Sequence, residues 1–153
     1  MSNRFRHRST IRCNYISYND PKTNHTYKLP MLHVRLIHGA RSMKSVALID
    51  SGATTNFIPR ELADLLGLDL SNTPKDAVGA GGVFSNIESR IDKVVLLKGL
   101  NSAYDQFQNL FTYVPVQSDT LPYMILGREN LFRRYDIKFQ EREEKVILKR
   151  HQK

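Results

Sequence analysis

The residues best suited to chemistry in this chain are Asp50, Ser51 and Gly52, which directly follow the apolar run Ala47-Leu48-Ile49. A carboxylate at the end of a buried strand is costly to desolvate unless hydrogen bonds hold it or chemistry requires it. The glycine two residues on permits a tight turn and a close approach by neighbouring groups. The serine hydroxyl can fix the geometry of that turn. Together they present one rigid carboxylate from the floor of a cavity, the placement that general acid–base work asks for. Asp-Ser-Gly is also ordinary turn composition, so its surroundings decide between the two readings.

Two features downstream supply that context. Residues 78–84, Val-Gly-Ala-Gly-Gly-Val-Phe, place three glycines between apolar residues. A hairpin tip of this kind is mobile, and its bare amides can reach a ligand. A phosphate-binding loop is excluded, because no Gly-Lys-Ser/Thr closes the motif and no helix follows. Further on, Leu121-Pro122-Tyr123-Met124-Ile125-Leu126-Gly127-Arg128 reads as an apolar strand ending in Gly-Arg ahead of a short helix. Taken singly, the first is a flexible turn and the second a capped core strand.

The elements that must position these groups are mostly strands. Residues 31–37 alternate apolar and polar as a half-buried strand, 38–41 turn, and 45–49 return as the apolar strand that delivers Asp50. Pro59 opens a short helix over 60–66, with Leu62, Leu65 and Leu66 on one face and Gly67 as its stop. Strand character recurs over 87–97, 110–116, 123–126, 135–139 and 146–148, with a peripheral strand at 11–18 and a helical turn or two at 128–133. Residues 19–24 carry turn chemistry. Many short strands with little helix predict an all-β fold, a compact barrel or sandwich. One domain is expected over 11–150, behind a flexible basic tail at 1–10.

Composition removes several function classes. The 153 residues are 41% hydrophobic and 25% charged, enough apolar material for a core, so wholesale disorder is excluded. No run of about eighteen apolar residues exists to span a membrane. The Arg-rich start has no apolar stretch behind it, so it is no signal peptide. Cys13 stands alone and no Cys/His spacing suits a metal; no cofactor or metal is expected, and a cytoplasmic setting is the default. The formal net charge of +8 gathers at the ends, in Arg4, Arg6, Arg8 and Arg12 and in Lys145, Lys149, Arg150, His151 and Lys153. Such ends read as solvated tails, which permit nucleic acid as a partner without requiring it.

In their order, Asp50-Ser51-Gly52-Ala53, the glycine-rich hairpin and Ile125-Leu126-Gly127-Arg128 resemble the retropepsin-like aspartic proteases, over residues 31–148. Residues 48–58 look most like the retrotransposon version, and 125–137 more like free-standing prokaryotic members. The resemblance implies a closed β-barrel with a glycine-rich flap hairpin and one or two short helices. It implies peptide-bond hydrolysis by a water held between two aspartates that share one proton. The sequence holds one Asp-Ser-Gly turn; Asp69 and Asp119 are followed by Leu-Ser and Thr-Leu. A protease of this kind is therefore a C2 homodimer with Asp50 and its symmetry mate at the axis, and its monomer is inactive. The resemblance further gives Ser51 the bracing of that pair across the axis, and Gly52 and Ala53 contact with the substrate backbone. Gly79, Ala80, Gly81, Gly82 and Val83 would close over a polypeptide substrate. Pro122, Tyr123 and Ile125 would line apolar side-chain pockets, with Gly127 and Arg128 in structural roles.

The chain also departs from the viral pattern. Thr54 stands where viral relatives usually carry an acid, so Arg128 is expected to turn to Glu129, Asp136 or backbone carbonyls. The segment before Met31 has no counterpart in the minimal viral enzyme, and 145–148 is the candidate strand for a dimer sheet. Two other classes stay open at this point: a retropepsin-like dimerisation or peptide-binding module without activity, and a basic nucleic-acid-binding β-barrel. Met1 and the closing strand favour a free-standing protein over a polyprotein slice.

Overall fold

The computed structural model describes residues 10–79 and 82–151. The elements run β1 (Thr10–Asn14), β2 (Ile16–Asn19), β3 (Thr26–Leu29), β4 (Met31–His38), β5 (Arg41–Ile49) and α1 (Arg60–Leu66). They continue with β6 (Lys75–Gly79), β7 (Gly82–Lys98), β8 (Ser102–Pro115), β9 (Met124–Leu126), α2 (Leu131–Arg134), β10 (Tyr135–Gln140) and β11 (Lys145–Arg150). This is the all-β architecture with short helices that the sequence predicts.

The alternation in β4 buries Leu32, Val34 and Leu36. A turn at Gly39, in the left-handed region at φ 57°, brings β5 back antiparallel with Leu36 opposite Met43 and Met31 opposite Leu48. The other edge of β4 takes β7, Val34 facing Leu96, and β7 in turn carries β8 and the short β6. β9 lies parallel to β5, with Ile49 opposite Leu126. Phe57 then bridges Tyr113 of β8 and Ile125 of β9. Backbone pairing thus runs from β7 through β4, β5 and β9 to Phe57, then to β8 and back to β7. A single residue, rather than a paired strand, completes the circuit.

Three expectations change. Residues 11–18 do not form one peripheral strand: β1 pairs with β11, while β2 pairs with β3 in a separate hairpin. Tyr15 between them is buried, and donates its amide to Glu144 O at 2.7 Å and its hydroxyl to Glu141 Oε2 at 2.9 Å, which breaks the run. Of the C-terminal basic cluster, Lys145, Lys149, Arg150 and His151 are not a tail, and Lys153 lies outside the described residues. Val146 and Leu148 are buried while Lys145 and Lys149 point out, so alternation makes this segment the middle strand of the sheet β1–β11–β10. With both its edges paired, β11 has no backbone edge to offer a partner; the open edges of that sheet, among the described residues, belong to β1 and β10. Finally, α1 buries Ala63 and Leu66 but leaves Leu65 60% exposed. At about 100° per residue, Leu65 lies well round the helix from that buried pair. The expected stop holds: Gly67 is left-handed at φ 70°, and its amide donates to Asp64 O.

The terminal sheet is joined to the body through Asp105 of β8, which is 3% exposed. It accepts from Arg134 at 3.1 Å, Arg150 at 3.0 Å, the Tyr135 hydroxyl and the Gln106 amide. Arg134 also stacks over the Phe107 ring at 4.0 Å. Of the basic tail expected at the N-terminus, residues 1–9 lie outside the described residues. No helix among the described residues is long and apolar enough to cross a membrane.

Candidate active site

Strand β5 carries its apolar face into the core and emerges at Asp50. The Asp50 amide donates to Leu126 O at 3.0 Å, extending the β5–β9 pairing by one residue. The chain then turns, and the Gly52 amide donates back to Asp50 Oδ1 at 2.9 Å. A Cβ on Gly52 would stand 3.2 Å from that oxygen, so glycine leaves the carboxylate its room. The result is a half-buried acid held from both sides of its own turn.

Beneath this turn lies a second layer of fixed backbone. Phe57 and Ile125 exchange both amide bonds, at 3.0 and 2.8 Å, and the Ile58 amide reaches Tyr113 O at 3.0 Å. Asn56 is fully buried and spends its side chain inside this layer. Its Nδ2 donates to Phe111 O and Asn130 Oδ1, and its Oδ1 accepts from the Gly127 amide at 3.1 Å. Buried amides require such partners. Gly127 fits because nothing larger can: an added Cβ would fall 2.2 Å from Thr55 O and 2.6 Å from Ala53 O. Gly127→Ala must therefore push the backbone of residues 53–55, directly after the Asp50 turn, out of place. A loss of about 3 kcal/mol, the upper end of ordinary overpacking, is expected by urea denaturation; an unchanged midpoint would contradict this close approach.

Above the turn is a cleft of about 460 Å³, lined by Asp50, Gly52, Ala53, Phe57, Phe84 and Ile125 among others. Its walls are mainly apolar, with Asn86, Thr54 and Thr120 as polar exceptions. The hairpin β6–β7 supplies one wall through Ala77, Val78 and Phe84. Gly79 pairs with Gly82 at its end; Ala80 and Gly81 lie outside the described residues. Val78 and Val83 are 85% and 64% exposed, an unusual amount of apolar surface at a hairpin end.

The remaining expected residues divide. Ser51 is exposed and outside the cleft lining. Pro122 and Tyr123 line a neighbouring groove rather than the cleft itself. Burial pushes the Tyr123 hydroxyl pKa up, with the charges of Tyr18, Asp50 and Asp20 adding to it, so Tyr123 remains within electrostatic reach of Asp50. Arg128 donates its amide to Ala53 O at 2.9 Å, and its side chain is exposed. The ion pairs expected for it do not form: Glu129 accepts from the Thr55 hydroxyl at 2.7 Å, and Asp136 bonds His151 at 2.7 Å. The contributions of Asn56, Phe57, Phe84 and Asn86 escape a reading of motifs. Only Asn56 carries a local signal, a polar amide set directly before the apolar pair Phe57-Ile58.

A family model described as aspartyl protease matches residues 37–129, from the end of β4 to just past the Gly127-Arg128 turn. The chain belongs to this aspartyl protease family. Among solved structures, the fold is similar to a retropepsin-like aspartic protease from Rickettsia conorii, with a TM-score of 0.57 at 18% identity. That similarity covers 91% of this chain and 89% of the other. No curated protein matches the sequence. The chain is an aspartic protease with a retropepsin-like fold.

Proposed function

We propose that this protease is an endopeptidase acting as a C2 homodimer, in which Asp50 and its symmetry mate activate one water between them. The observation that carries the reading is the geometry of the single Asp-Ser-Gly turn: one carboxylate, braced by the Gly52 amide, on the floor of an apolar cleft. One carboxylate cannot both take the water's proton and give one to the carbonyl oxygen. Two at hydrogen-bond distance can, because their like charges force them to share a single proton. The ionised partner accepts a proton as the water attacks the carbonyl carbon; the protonated partner donates to the carbonyl oxygen. Transfer to the amine then breaks the C–N bond. In this reading Ser51, exposed beside Asp50, braces the pair across the axis. Gly52 and Ala53 meet the substrate backbone from below, and the β6–β7 hairpin, through Val78 and Phe84 on the cleft wall, covers it from above and excludes water.

The test is digestion of casein across about pH 4 to 7, the range in which a shared-proton pair works. Cleavage should be blocked by a statine-type analogue and indifferent to chelators. Specific activity should fall on dilution, as dimers dissociate. Absence of cleavage would defeat the activity, and specific activity constant down to a demonstrably monomeric concentration would defeat the dimer. The apolar lining gives a second expectation: a peptide library should show hydrophobic or aromatic residues flanking the cut. A profile dominated by charged residues there would contradict the role given to Phe57, Phe84 and Ile125.

A further inference from the structure

We propose that the groove beside the cleft, walled by the β2–β3 hairpin, is an additional substrate subsite that selects a lysine or arginine beyond the apolar residues at the scissile bond. The inference rests on the endopeptidase reading and gives it a specificity. The groove has a volume of about 900 Å³ and is continuous with the cleft, since Thr120 and Leu121 line both. A polypeptide leaving the cleft past these residues therefore enters it.

The hairpin is fixed against that exit. Tyr18 of β2 stands edge-on to Tyr123, with ring centroids 5.1 Å apart and planes at 90°. The loop between groove and cleft is pinned from the other side, where the Asp119 amide donates to Glu61 Oε1 of α1 at 2.8 Å. Two elements remote in sequence thus hold one wall in place.

The chemistry of the wall is specific. Three tyrosines, Tyr18, Tyr27 and Tyr123, face the same space as Asp20, Glu61 and Asp119, with Lys22 as the single cation among the lining residues. Three acids against one base invert the sign of a chain whose net charge is +8. The Asp119 amide holds the Glu61 carboxyl below its usual range, so it stays charged in mild acid. Tyrosine faces accept the apolar stem of a long basic side chain, and carboxylates meet its cationic head. Nucleic acid is a poor occupant, because its phosphates would face the same three carboxylates. A substrate strand that carries a basic side chain satisfies both the continuity and the charge.

The experiment measures binding to the full-length Asp50→Asn protein, which removes turnover from the readout. Fluorescent peptides share one apolar core, and an arginine is moved one residue at a time away from it on either side, with alanine and glutamate controls. Arginine at one or two positions should bind about tenfold more tightly than alanine, since several exposed charge contacts and ring stacking act together. The difference between peptides should shrink severalfold in an Asp20→Asn/Asp119→Asn background, which leaves Glu61 as the one acid facing Lys22. Tyr27→Ala should reduce it. Equal binding of all peptides, no binding of any, or a preference undiminished by the double substitution would overturn the subsite. Wild-type protein that cleaves nothing would instead defeat the endopeptidase reading, while this binding comparison still decides the groove.

Discussion

The Asp50→Asn protein is expected to lose proteolysis by about a thousandfold or more, the scale of removing an acid–base group, while melting at the wild-type temperature. The two halves of this expectation have different origins. Asparagine keeps an Oδ1 that accepts from the Gly52 amide, so the bond that shapes the turn survives. It cannot take a proton from water, nor share one with a symmetry mate. A mixing experiment makes the dimer visible in the same assay. When equal amounts of wild-type and variant chains exchange freely, only about a quarter of the dimers keep two aspartates. Activity per wild-type chain should therefore halve. Retained activity in the variant would remove Asp50 from the mechanism. Activity that simply follows the wild-type concentration would mean that each subunit works alone.

Much of this site is readable from sequence because its decisive parts are local. An apolar run, an acid and a glycine lie within six residues, and strand periodicity and turn chemistry act over that range. The same holds for α1 and its Gly67 stop. What lies across the chain is not readable in this way. Phe57 completes the pairing circuit by lying between β8 and β9, 56 and 68 residues away, and no local pattern states that register. The division between β1 and β2 depends on Tyr15 finding Glu141 and Glu144 at the far end of the sequence. Arg150 and His151 look like a solvated tail until Asp105 and Asp136 are placed beside them.

That last point changes what the net charge means. Of the basic residues near the C-terminus, Lys145 and Lys149 lie on the outward face of a middle strand, and Arg150 turns to a buried acid. This part of the positive charge belongs to the architecture. The groove lined by Tyr18, Tyr27 and Tyr123, by contrast, is acidic where the chain as a whole is basic. The local sign of this groove, beside an apolar cleft, is opposite to that of the whole chain, and the basic-side-chain subsite proposed above rests on that contrast.

Asp105→Ala is expected to be the most destabilising single substitution, by about 3–5 kcal/mol, because it strips the shared carboxylate from Arg134 and Arg150. For a chain of this size the melting temperature should fall by roughly 10 °C or more. Burial opposes ionisation of Asp105, but the bonds from Tyr135, the Gln106 amide and Arg134 outweigh it and hold its pKa below the ordinary value of 3.8. The folded state thus binds a proton less readily than the unfolded state. The stability this provides is complete above about pH 4 and drains away as pH falls through the folded pKa. His151 has the opposite sign: its bond to Asp136 raises its pKa above 6.5, so its contribution is present below that value and is lost as pH rises past it. Asp105→Asn should be less stable than wild type at pH 6 yet flatter in its pH dependence below 4, as followed by urea denaturation. Parallel acid slopes in the two proteins would show that Asp105 is not the group protonated there. Since β8 pairs along β7, whose hairpin with β6 walls the cleft, loss of this anchor should also loosen the cleft, and the loss of activity below about pH 4 should then track the loss of fold.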